Sequence, residues 1–113
     1  MVNLKDDLEK LINIPVYYEG EAPQKLPNEY FTISEDYTGD NLNADNEALE
    51  HYYEFTLKWY TKDANRVNTG LLEAIALLKK ENYLIEGTGY KNDTYQNTWF
   101  SRMVDVEKID YLK

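Results

Sequence analysis

The chain has 113 residues, no cysteine, one histidine and a formal net charge of −9. That length suits a single domain, residues 1–113, able to bury a core without staples. The missing cysteine excludes disulfides, thiolate metal sites and thiol nucleophiles, and the acidity disfavours binding to nucleic-acid phosphate or an anionic membrane.

Residues 3 to 12 predict a short amphipathic helix. Leu4, Leu8, Leu11 and Ile12 follow the i, i+4, i+7, i+8 spacing of one face, Asn3 can cap the start, and Asp6 and Asp7 suit the positive end of the dipole. Pro15 stops the helix. Ile14 to Tyr18 reads as a brief strand, and Glu19 to Asn28, with Gly20, Pro23 and Pro27, as a loop. Tyr30 to Ser34 reads as a second short strand. Asp36 to Asn46, rich in Asp and Asn around Gly39, reads as a long mobile acidic loop that includes Asp36, Asp40 and Asp45.

The stretch HYYEFTLKWYTK is the clearest strand, with Tyr53, Phe55, Leu57 and Trp59 on one face. Asp63 is expected to cap a second helix that runs to about Lys80, with an apolar stripe of Val67, Leu71, Ala74, Ile75 and Leu78. Tyr83 to Tyr90 reads as a strand with a bulge near Gly87 and Gly89, and Asn92-Asp93 as a turn. Thr98 to Glu107 closes the sheet. It carries Phe100, Val104 and Val106 on one side and Trp99 and Met103 on the other, so one face is expected to meet the helices and the other a partner. The sum is an α+β domain: a small, mostly antiparallel sheet of about five strands packed on two helices, in the order α-β-β-β-α-β-β.

Signals for chemistry are sparse. His51 stands at a strand start and reads as a surface residue. Serine occurs only at Ser34 and Ser101, neither in a nucleophile elbow, and Gly87-Thr88-Gly89 is too short for a phosphate loop. DNLNADNE places Asn41, Asn43 and Asp45 at calcium-ligand spacing, but Asn46 and Tyr52 stand where glycine and glutamate are required. Carboxylates are plentiful without a pair being singled out. No catalytic role, metal or cofactor is implied. No apolar run reaches signal-peptide or membrane-span length, so a soluble, non-exported protein is expected. The 11 tyrosines suit sheet faces and surfaces that meet a partner.

The order of segments resembles the small tail-terminator, or tail-completion, proteins of long-tailed phages and their prophage relatives in Gram-positive bacteria. Four pieces carry the resemblance: the short leading helix; IPVYYEGEAPQKLPNEYFTISE; the strand ending LKWYTKD that leads into ANRVNTGLLEAIALLKK; and the aromatic hairpin ending MVDVEKIDYL. The match is one of layout over nearly the whole chain, since that family has no catalytic signature. It implies a homo-oligomeric ring, usually a hexamer, that caps the tail tube and joins it to the head-tail connector. DNA passes through without specific binding, assembly takes place in the host cytoplasm, and the ring ends in the virion neck. Candidate interface residues are Tyr17, Tyr18, Pro23, Pro27, Tyr52, Tyr60, Tyr90, Tyr95 and Trp99, with the two loops as arms reaching neighbours.

Alternatives are another head-tail connector component, or a small acidic DNA mimic that inhibits a host DNA-binding defence protein. A mimic needs ordered carboxylates on an exposed face. In the sequence the acids are interspersed with Lys58, Lys62, Lys79, Lys80 and Lys91.

Overall fold

A computed structural model describes residues 3–42, 48–85, 91–93 and 99–111. Helix α1, Leu4–Leu11, begins where the Asn3 side chain accepts the Asp6 N–H, and it buries Leu4 and Leu8. Lys5 and Glu9 pair at 2.9 Å on its outer side. Strand β1, Val16–Tyr18, lies parallel to β2, Glu29–Leu42, with Val16 opposite Phe31.

This parallel pairing gives the proline loop a structural task. Parallel neighbours need a crossover, and residues 19–28 carry the chain from the end of β1 back to the start of β2. The loop opens with a tight turn in which the Glu21 N–H reaches the Tyr18 carbonyl at 2.9 Å. Gly20 takes the left-handed φ of 87° that such a turn requires.

Strand β2 pairs antiparallel with β3, Ala48–Thr61, and β3 with β6, Phe100–Tyr111. Two short strands, β4 (Leu84–Ile85) and β5 (Lys91–Asp93), line the far edge of β6 at different heights. Among the described residues, six strands thus form one mostly antiparallel sheet in the order β1-β2-β3-β6-β4, with β5 beside β6. The α+β class and approximate element order agree with the sequence reading.

The segment from Asp36 to Leu42 does not form the expected loop. It continues β2, paired with β3 as far as Leu42 opposite Ala48, past a bulge between Glu35 and Tyr37. Asp36 and Asp40 are therefore strand residues, and Asp45 lies outside the described residues. Asn92 and Asp93 are not a turn but belong to β5, opposite Arg102 and Ser101. Gly87 and Gly89 lie outside the described residues. The last strand runs on to Tyr111, beyond the expected Glu107.

The second helix also begins later than expected. Asp63 caps only a 3-10 turn, Ala64–Arg66, by accepting the Asn65 N–H at 2.9 Å. Helix α2 spans Thr69–Lys80, so Val67 precedes it. The cause lies in Trp59, whose indole N–H donates to the Arg66 carbonyl at 3.0 Å, the oxygen an uninterrupted helix would use itself. Helix α2 ends in a Schellman motif around Asn82, with φ 66°. There the Tyr83 N–H bonds the Leu78 carbonyl and the Asn82 N–H the Lys79 carbonyl.

Both helices cover one face of the sheet. Leu4 and Leu8 of α1 and Leu71, Ala74, Ile75 and Leu78 of α2 close over Val16, Phe31, Ile33, Phe55, Leu57, Trp59, Val104 and Val106. At α2, Gly70 lies so close to Trp59 that a Cβ there would stand 2.3 Å from the ring. Tyr83 joins this core and donates its hydroxyl to Asp7 of α1 at 2.5 Å. Burial first, and the Asp7 carboxylate second, push the Tyr83 pKa well above its ordinary value.

Along β3, Tyr53 is packed against this core, and the strand runs on to Ala48. Strands β2 and β3 have 14 residues each, roughly 46 Å at 3.3 Å per residue. Helices α1 and α2, at 8 and 12 residues, reach only roughly 12 and 18 Å. The distal parts of β2, β3 and β6 therefore project past the helices as a three-stranded arm, and the molecule measures 53 × 29 × 24 Å.

Candidate interaction surface

Strand alternation turns a second set of side chains to the opposite face of the sheet, where no helix lies among the described residues. Its two ends differ in chemistry.

Near the start of β2 the face is aromatic. Tyr30 and Tyr60 are cross-strand partners whose rings stack at 4.8 Å. Tyr17 meets Tyr30 edge-on at 5.9 Å and Trp99 does so at 5.4 Å. Lys62 holds its ammonium 5.1 Å above the Trp99 ring. Tyr30 and Tyr60 are only 2% and 7% exposed, so these rings bury one another as a small second core. Tyr17 and Trp99, half-buried, form its accessible rim.

Toward the arm the face becomes acidic. Glu54 and Glu107 are directly opposed on β3 and β6, and Asp105 stands two residues before Glu107. Asp36, displaced by the bulge, completes the group and accepts hydrogen bonds from Ser34 and Thr56. These four carboxylates line a shallow depression of about 180 Å³. Glu54 is steadied by the Tyr52 hydroxyl at 2.9 Å. Asp105 and Glu107 have no ion-pair partner among the described residues. Among those residues no group of three or more acidic, histidine or cysteine side chains is placed to hold a metal ion.

A separate ion-pair group lies at the helix-side corner. Glu29 receives Arg66 Nε at 3.0 Å, Arg66 Nη2 at 3.3 Å and the Thr61 hydroxyl at 2.9 Å. The Glu29 hydrogen bond is the main reason the guanidinium holds its proton even more firmly than usual. Arg66 also reaches Glu73 at 3.5 Å. This network ties the start of β2 to the 3-10 turn and α2, which gives it a structural role.

Of the residues singled out from the sequence, Tyr17, Tyr60 and Trp99 come together in the aromatic cluster, and Tyr52 and Asp36 flank the acidic depression. Tyr18 is exposed at the end of β1, Pro23 is exposed and Pro27 half-buried in the crossover loop. Tyr90 and Tyr95 lie outside the described residues. Sequence reasoning missed Tyr30, the ring at the centre of the cluster. It also missed Glu54, Asp105 and Glu107, which only strand register brings together. The parity of Tyr30 against buried Phe31 and Ile33 was the one signal that could have placed Tyr30.

No protein-family model matches the chain, and no curated protein sequence matches it. Among the described residues no helix is long and apolar enough to cross a membrane.

Proposed function

We propose that this chain is a structural protein of a phage neck or tail, a terminator that forms a ring, caps the tail tube and joins it to the head. The observation that carries this reading is the one-sided sheet. Among the described residues both helices cover one face, and the other face and a three-stranded arm offer surfaces that neighbours could cover. A closed ring needs two different patches on each copy, and a sheet face and a helix face can serve as such a pair. The acidity suits a lumen through which DNA slides, because phosphate is repelled rather than held. Light scattering of the purified protein, alone at high concentration and mixed with tail tubes, tests the reading. Ring-sized particles, or mass added to tubes in proportion to their ends, support it. A monomer that ignores tubes contradicts it.

One observation favours a second reading, the DNA mimic. Exposed Asp36 and half-buried Glu54, Asp105 and Glu107 gather on one sheet face, a grouping of carboxylates that such an inhibitor could use. Saturable binding to a DNA-binding protein, competed by duplex DNA and lost in Glu54→Gln/Glu107→Gln, favours the mimic over the ring.

A further inference from the structure

We infer that copies of this chain join by laying the outer face of α2 from one copy on the sheet face opposite α1 and α2 of the next. This inference rests on the ring reading and specifies its contact. The core side of α2 is Leu71, Ala74, Ile75 and Leu78. Its outer side starts with exposed Thr69, carries Leu72 at 48% exposure and exposed Ala76 beside exposed Glu73, and ends basic with Lys79 and Lys80. Neither lysine has an ion-pair partner among the described residues.

The sheet face offers groups at a matching spacing: Met103, with Lys58 as its cross-strand partner, and farther along the opposed Glu54 and Glu107. From Leu72 to Lys80 is about 12 Å along a helix. From Met103, half-buried on that face, to Glu107 is about 13 Å along β6. Leu72 set on Met103 therefore brings Lys79 and Lys80 onto Glu54 and Glu107. A sheet face that its own helices leave uncovered can be covered by a helix from a neighbouring copy. The charge match overcomes, locally, the repulsion expected between copies that each carry −9. Because the two patches differ, the contact is heterologous and propagates from copy to copy until it closes.

Charge reversal tests the contact. Lys79→Glu/Lys80→Glu and Glu54→Lys/Glu107→Lys are made separately, mixed in equal amounts, and combined in one chain, with circular dichroism confirming folding. Self-assembly is read by light scattering and native mass spectrometry, alone and on tail tubes. Each variant alone raises the concentration needed for assembly by at least about tenfold. The equimolar mixture restores assembly, because alternating copies regain both contacts, and so does the combined variant. Wild-type assembly that neither reversal weakens, or that no combination restores, overturns this contact while leaving the ring reading in place. A wild type that never assembles, with or without tubes, overturns both.

Discussion

Gly70→Ala probes the tightest contact in the core. In an ordinary helix interior the change stabilises by about 1 kcal/mol. Here the new Cβ would lie 2.3 Å from Cζ2, 2.5 Å from Cε2 and 2.9 Å from Nε1 of Trp59. The ring has little room to retreat. It is fully buried, tilted against Phe31 at 4.7 Å, and pinned by its hydrogen bond to the Arg66 carbonyl. Overpacking of this kind costs about 1–3 kcal/mol, and a strained or lost indole hydrogen bond about another 1. Set against the helix-propensity gain, the net expectation is a loss of about 1–3 kcal/mol, a substantial share of the ~5–15 kcal/mol typical of a domain. Urea denaturation followed by tryptophan fluorescence and circular dichroism measures it. Trp59→Phe is the control background, because the smaller ring gives up the clashing atoms, and there Gly70→Ala should cost clearly less. A Gly70→Ala protein as stable as wild type or more so, with an unchanged denaturant slope, would refute the argument.

Three further outcomes follow from local chemistry. The raised pKa of Tyr83 means that, above its ordinary value near 10, the folded protein keeps a proton that the unfolded chain releases. Stability is thus expected to fall as pH rises above about 10, and Tyr83→Phe should flatten that fall in pH-dependent denaturation, while costing about 1–2 kcal/mol at neutral pH through the lost Asp7 bond. Glu29→Gln should destabilise by about 1.5–3 kcal/mol, measured in urea, because it weakens a charge-assisted bidentate pair that joins β2 to the 3-10 turn. Asn82→Gly should be neutral or slightly stabilising and Asn82→Val should cost about 1–2 kcal/mol in thermal melts, since Asn82 holds a left-handed φ at the end of α2.

The parts of the fold legible in the sequence are those where hydropathy has a period. Leu4 and Leu8 behind Asn3 mark α1, and alternation from Tyr53 to Trp59 marks β3. The distal half of β2 was hidden because it runs into the arm, away from the helices. Its residues EDYTGDN show no alternation, and only the pairing with β3 reveals them as a strand. Asn92 and Asp93 misled for a related reason, since an edge position on β6 overrides their turn preference. The start of α2 depended on a long-range event, the Trp59 indole taking the Arg66 carbonyl. The candidate surface divides in the same way. Tyr17, Tyr60 and Trp99 stood out as residue types. The acidic depression exists only because register sets Glu54 opposite Glu107 and a bulge swings Asp36 toward Thr56.

The most direct test of the central claim is negative-stain imaging of tail tubes lacking a terminator, incubated with the purified protein. A ring of density should cap one end of each tube and be lost in Lys79→Glu/Lys80→Glu. Tube ends left bare at every protein concentration would contradict it.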